Sequence, residues 1–259
     1  MKKLIVLAAG CLLLAPTLAF SDSIQLRLGY YMPRALSNSY LADHPDSLWT
    51  IELDQMSFDL KEYRGGMFGI GYDRFLGPNL SLSLALDFYN RSQVGYYYDW
   101  VVNSLEEGDF AFPYELYLGD DIVHSYRVTM TPLQASLKFL PLGRRTKLIP
   151  YIGGGASVFF WGVKMFGDQV NFGDPWVYAD PEIGEVDIYP VELLSGREND
   201  VAFGWHAFGG LQVPVGYKAT IEAEVRYHNA RGRFEDMFVG FDDFELGGLL
   251  LTVGLSYWF

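Results

Sequence analysis

The stretch Leu251-Thr252-Val253-Gly254-Leu255-Ser256-Tyr257-Trp258-Phe259 alternates along most of its length. Leu251, Val253, Leu255, Tyr257 and Phe259 share one face. Thr252, Gly254 and Ser256 share the other, and Trp258 joins them at the end. A period of two means a strand with one apolar face and one small or polar face. An apolar face ending on aromatic residues gains little in water. It suits a sheet that closes on itself, with rings at a water–lipid boundary.

The same alternation recurs upstream and predicts eight strands. The first covers 24–31, with Ile24, Leu26, Leu28 and Tyr30 opposite Gln25, Arg27 and Gly29. The second covers 66–76 and leads into the tight turn Gly77-Pro78-Asn79. The third, 80–91, sets Leu80, Leu82, Leu84, Leu86 and Phe88 against Ser81, Ser83, Ala85, Asp87 and Tyr89. The fourth spans 123–140 and changes parity midway: Tyr126, Val128 and Met130 are even, whereas Leu133, Ala135, Leu137 and Phe139 are odd. Pro132 sits at the break, so a β-bulge there is expected to restore one apolar outer face. The fifth to eighth strands are read at 148–163, 201–213, 218–231 and 246–259.

Connections after strands two, four and six are short. Those after strands one, three, five and seven are long, at 32–64, 96–122, 164–200 and 232–245. An antiparallel meander puts all short links at one end and all long ones at the other, the arrangement of a transmembrane barrel. Charge follows the same sorting. Residues 96–122 carry seven acids and no Lys or Arg, while the turn 141–147 carries Arg144, Arg145 and Lys147. Within 32–64, Asp46-Ser47 ahead of Leu48-Trp49 is placed to cap a short helix, and Met56, Phe58 and Leu60 alternate as in an extended segment.

Residues 1–21 read as a secretory signal peptide: Lys2 and Lys3, an apolar run over 4–14, then small residues near Ala19 and Ser21, with cleavage expected before Asp22. Residues 22–259 are then the barrel domain. Cys11, the one cysteine, lies in the leader; a lipoprotein reading of Ala8-Ala9-Gly10-Cys11 is opposed by the apolar run continuing past it. The mature chain has no disulfide framework. No second apolar run approaches a spanning helix in length. Aromatics make up 17% of the chain, as boundary girdles require. Formal charge is −13, or −15 once Lys2 and Lys3 leave, which argues against nucleic acid as a partner.

Two segments carry a family resemblance. Residues 133–150, "LQASLKFLPLGRRTKLIP", with Tyr151-Ile152-Gly153-Gly154-Gly155, resemble a strand–turn–strand of the bacterial outer-membrane β-barrel superfamily, which includes OmpW-like, OmpA/OmpX-type and opacity-protein barrels. Thr252-x-Gly254-x-x-Tyr257-x-Phe259 resembles the C-terminal signal read by the barrel assembly machinery, so Gly254, Tyr257 and Phe259 are the assembly-signal residues the resemblance implies. It implies an all-β, eight-stranded, up-and-down transmembrane barrel in the cell outer membrane of a Gram-negative-type bacterium. Outer-membrane lipid and lipopolysaccharide would then be its surroundings, with a small solute as a further partner.

The alternation places Arg27, Asp73, Asp87, Arg127, Lys138, Glu222, Glu224 and Arg226 on the inner face as a lumen charge network. An eight-stranded barrel is about filled by its own side chains, and charges enclosed there must pair. A plugged interior with a structural or surface-interaction role is the favoured expectation. A narrow OmpW-like, porin-like channel for small or hydrophobic solutes is the alternative, and a lipid A-modifying enzyme the third reading. His44, His124, His206 and His228 show no Ser–His–acid spacing, so no catalytic residue is expected. Asp99, Asp120-Asp121 and Asp242-Asp243 offer oxygen ligands, but without EF-hand or repeated spacing they read as solvated loop charge, and neither metal nor cofactor is expected. The clusters at Tyr96-Tyr97-Tyr98-Trp100, Phe159-Phe160-Trp161, and Phe172 with Trp176 read as girdle and loop packing, with a hydrophobic ligand cleft between loops as the rival. Gly153-Gly154-Gly155 reads as close backbone approach inside a strand.

Overall fold

Asp22 pairs with Arg74 on one side of the first strand, and Ser23 with Trp258 on the other, so first and last strands are neighbours and the sheet closes. The computed structural model describes residues 22–96, 110–113, 122–171, 176–181 and 184–259. The leader reading lies outside these residues. Eight long strands form the wall: β1 Asp22–Pro33, β2 Gly65–Phe75, β3 Leu80–Tyr96, β4 Val123–Phe139, β5 Ile149–Val170, β6 Gly184–Pro214, β7 Ala219–Gly232 and β8 Gly248–Trp258. Each pairs antiparallel with its sequence neighbours, and β8 returns to β1. The architecture is a closed, all-antiparallel, eight-stranded barrel. Closure leaves no edge, which is what hydrocarbon demands of a sheet.

The molecule is inside-out relative to a soluble sandwich. Leu28, Phe203 and Val253 are 69%, 72% and 60% exposed, while Asp73, Lys138 and Arg226 are at most 2% exposed. Outward residues from Leu80 to Phe88, at about 3.4 Å per residue and tilted about 40°, stand roughly 20 Å high along the axis, close to the apolar band of such barrels. Exposed aromatic residues edge the band. Tyr30, Phe68, Phe88, Phe160 and Trp205 lie toward the long connections, and Phe139, Tyr257 and Phe259 toward the short turns. A belt of this size facing water would be an aggregation site; facing lipid, it is what holds the barrel in place. A closed wall with an apolar exterior and a charged interior has the build of a membrane-spanning β-barrel. Among the described residues no helix is long and apolar enough to cross a membrane.

Two expectations about β4 fail together. Its pairing runs in one unbroken register with β5, from His124↔Gly167 to Phe139↔Ile152, so no bulge forms at Pro132. Even-numbered residues face inward throughout: Tyr126, Val128 and Met130 are buried with Gln134, Ser136 and Lys138. The parity of the apolar residues changes because the surroundings do. Below, lipid is outside and the polar core inside; above, water is outside and an apolar core inside. Arg127 therefore points out of the barrel and is corrected from a lumen residue to an exterior one.

The long connections build structure above the wall. Residues 164–200, read as a loop, extend β5 and β6 as a paired hairpin as far as Val170↔Val191. Residues 34–63 form a lid. Helix α1, Asn38–Asp43, is capped by Ser37, and α2, Leu48–Gln55, by Ser47, whose Oγ accepts from Thr50 N at 3.2 Å. The chain is then extended through Met56 and Phe58, with Ser57 N donating to Tyr96 O at 2.8 Å, before a 3-10 turn at Leu60–Tyr63. A Ser47→Ala variant should lose about 1 kcal/mol of α2 stability, since the cap satisfies an otherwise orphaned N–H. Amide exchange across Leu48–Gln55 should then speed up about five-fold at constant barrel stability.

Candidate functional site

The lower interior holds a charge network built from inward positions of five strands. Lys138 of β4 donates to Asp73 Oδ2 at 2.6 Å and lies 3.8 Å from Glu222 Oε2. Asp73 also accepts from Gln25 Nε2 at 2.7 Å and from the Ser83 hydroxyl. Glu224 is the second hub. Its Oε1 takes Arg226 Nε at 2.9 Å, Arg226 Nη2 at 2.8 Å and Arg27 Nη2 at 3.3 Å, and the Tyr151 hydroxyl donates to Oε2 at 3.1 Å. Arg27 also faces Asp87 at 3.8 Å, which Gln134 Nε2 holds at 2.6 Å. Ser256 donates to Glu222. Seven of the eight residues proposed from sequence thus converge, and Arg127 does not.

Gln25, Gln134, Tyr151, Ser83 and Ser256 complete the set, each on the inner parity of its own strand. Alternation alone could have placed them there, but uncharged residues gave no reason to single them out. Four carboxylates meet three cations in near-complete burial. Such pairing is tolerated only because neighbouring amides and hydroxyls satisfy the remaining lone pairs. The Lys138 ammonium over the Tyr151 ring at 4.6 Å, and Arg226 over Phe208 at 4.5 Å, add ring faces to the enclosure. Below the network, Phe75, Leu140, Ile149, Tyr151 and Phe208 form an apolar floor against Trp258.

A histidine layer lies above it. His206 Nε2 meets Ser136 Oγ at 2.7 Å and Nδ1 meets Ser157 Oγ at 2.7 Å, with His228 5.8 Å away ring to ring. Hydroxyls occupy both His206 nitrogens, so no carboxylate orients this ring as a serine hydrolase would need. His124 faces inward at the rim and bonds Glu52 Oε2 of α2 at 2.7 Å, tying lid to wall. His44 stacks on Tyr40 in the lid at 4.2 Å. Among the described residues no group of three or more His, Cys, Asp or Glu is arranged to hold a metal ion. Asp242 and Asp243 lie exposed on the surface, while Asp99, Asp120 and Asp121 fall outside the described residues.

The upper interior is sealed by aromatic packing. Trp49 of α2 stacks on Phe244 at 5.3 Å, and Phe244 stacks on Trp161 at 5.4 Å. Phe159 and Trp161, read from sequence as girdle residues, are buried in this cluster; only Phe160 between them faces out. Of the other aromatic clusters, Tyr96 is exposed, Tyr97, Tyr98, Trp100 and Phe172 lie outside the described residues, and of Trp176 only the backbone is described. Tyr63 donates to Tyr126 O at 3.1 Å, and Trp49 Nε1 to Glu245 O at 3.3 Å. Glu198 accepts the backbone N–H groups of Glu235, Asp236 and Phe238 at 2.5–3.2 Å, in a segment whose Phe234, Phe238 and Phe244 side chains are buried in the cluster.

Burial pushes the Tyr40 phenol up to about 12. The docked lid therefore favours the neutral phenol, and its stability is intact below pH 10 and falls between pH 10 and 12, as the undocked phenol ionises first. Tryptophan emission should shift to the red over that interval as Trp49 is exposed, and the shift should shrink in Tyr40→Phe. An unchanged transition in that variant would contradict this role for Tyr40.

At the closing seam, Tyr257 and Phe259 are exposed at the lipid boundary, and Gly254 pairs with Arg27 and Glu222 across its two neighbours. Comparison with known proteins finds no matching protein-family model and no matching curated protein. Solved structures similar over most of their length include the following three. A major outer membrane protein from Thermus thermophilus is 11% identical, with a TM-score of 0.48 over 93% of this chain and 100% of that one. The outer membrane protein OprG from Pseudomonas aeruginosa is 10% identical, with a TM-score of 0.47 over 93% and 96%. Neisserial surface protein A is 10% identical, with a TM-score of 0.45 over 93% and 97%.

Proposed function

We propose that this barrel is a closed membrane element with a structural or surface-interaction role, not an open channel and not an enzyme. What supports the reading is the filled interior: charged pairs across the lower half, a histidine–hydroxyl layer, and an aromatic cluster under the lid. Opening it would require separating buried ion pairs and undocking α2 together, each costing several kcal/mol. The terminal Tyr257 and Phe259, exposed beside the β1–β8 seam, suit recognition by the barrel assembly machinery.

Reconstitution into planar bilayers is the test. The closed reading expects no discrete single-channel openings. Openings whose size or lifetime changes on Glu222→Gln or Arg226→Met would replace it with a gated path through the network. Unchanged lipid A by mass spectrometry after deletion of the protein is the matching expectation against enzymatic activity.

A further inference from the structure

Arg127 lies in register with Lys164, and Lys164 with Arg197, so three cations stand side by side on the outer faces of β4, β5 and β6. Like charges placed directly opposite one another in a sheet are destabilising. The chain has 32 acids to 19 lysines and arginines, yet none of the ion pairs among the described residues involves any of the three. In the next row down, Thr129, Gly162 and Asn199 are aligned in the same way. Gly162 has no side chain to fill the middle of that row, and the Arg197 guanidinium leans on Asn199 Oδ1 at 3.2 Å. Together they bound a recess of about 190 Å³.

Its depth decides what it meets. Phe160, on the outer edge of the apolar belt, lies four residues below Lys164 on the same strand. At about 3.3 Å per residue and a 40° tilt, the cations sit roughly 10 Å above the hydrocarbon edge, within the headgroup layer. The lid and the long hairpin both stand at this end, the end that faces outward in barrels with short turns on one side and long connections on the other. We propose that the Arg127–Lys164–Arg197 row binds the phosphate of an outer-leaflet lipid headgroup, with the acyl chains lying down the apolar wall below Phe160. This inference rests on the outer-membrane barrel reading and adds a defined lipid site to it. Arginine suits phosphate through its paired donors, and Thr129 and Asn199 supply polar neighbours.

The test uses the whole protein, refolded in detergent, with diphosphoryl lipid A, phosphate-free lipid A and inorganic phosphate as probes. The triple variant Arg127→Gln/Lys164→Gln/Arg197→Gln changes outward positions only, and unchanged circular dichroism with an unfolding midpoint no lower than wild type would show that the barrel itself stands. The wild type should prefer diphosphoryl over phosphate-free lipid A by roughly 100-fold, at about five-fold per cation, and the triple variant should lose that preference. Arg127→Lys/Arg197→Lys should retain most of it, and millimolar inorganic phosphate should not compete. A folded triple variant with the full preference, a wild type with none, or displacement by inorganic phosphate alone would each overturn the proposal while leaving the barrel reading intact.

Discussion

Asp73→Ala is expected to destabilise the folded barrel by about 3–5 kcal/mol. Asp73 is fully buried and accepts from Lys138, Gln25 and Ser83 at once. Removing its carboxylate leaves the buried Lys138 ammonium facing only the more distant Glu222 carboxylate, at 3.8 Å. The loss is then the cost of a buried, half-compensated charge, not the worth of one ion pair. The double variant Asp73→Ala/Lys138→Met should regain most of it, since replacing both partners by apolar groups is often close to neutral. Urea unfolding in lipid vesicles, read as a double-mutant cycle, checks both. If Asp73→Ala unfolds within about 0.5 kcal/mol of wild type, the network is solvated and the closed interior is wrong.

Gly155→Val should be as damaging for a steric reason. Gly155 of β5 pairs with Ser136 of β4. A Cβ there would lie 1.9 Å from Ala135 O and 2.7 Å from Ser136 Cα, both backbone atoms of the paired strand. Neither can move without breaking the ladder that joins β4 to β5. A loss of more than about 3 kcal/mol, or failure to refold, is the expected outcome. Gly77→Ala in the turn, where nothing lies within 4 Å, is the control and should fall within about 0.5 kcal/mol of wild type. Equal behaviour of the two variants would mean the close approach at Gly155 is not real.

The wall was legible because lipid on one side and a narrow polar core on the other impose strict alternation. Residues 80–88 and 251–257 show it without interruption, and the turns at Gly77-Pro78-Asn79 and 141–147 punctuate it. Alternation identifies two faces but not which one is inside, and where the solvent pattern inverts the inference inverts with it. Tyr126, Val128 and Met130 are apolar because the lid seals the upper barrel, so they line a core, and Pro132 merely coincides with the level at which lipid gives way to water. The same inversion put Arg127 on the wrong face and Phe159 and Trp161 in the wrong environment. One signal was available: Leu48, Trp49, Met56, Phe58 and Tyr63 make residues 32–64 far too apolar for a solvated loop, and all five are buried over the barrel mouth. Pairings such as His124 with Glu52, or His206 between Ser136 and Ser157, depend on register around the whole cylinder, and no local pattern carries that.

The exposed apolar face meets acyl chains while the charged face is enclosed. Spin labels on single cysteines, with Cys11 removed, test it directly in lipid vesicles. Labels at Leu28, Phe203 and Val253 should collide freely with dissolved oxygen and scarcely with a water-soluble nickel chelate. A chelate collision rate at those three sites equal to that of a label on the exposed turn residue Tyr217 would put them in water and contradict the inside-out barrel.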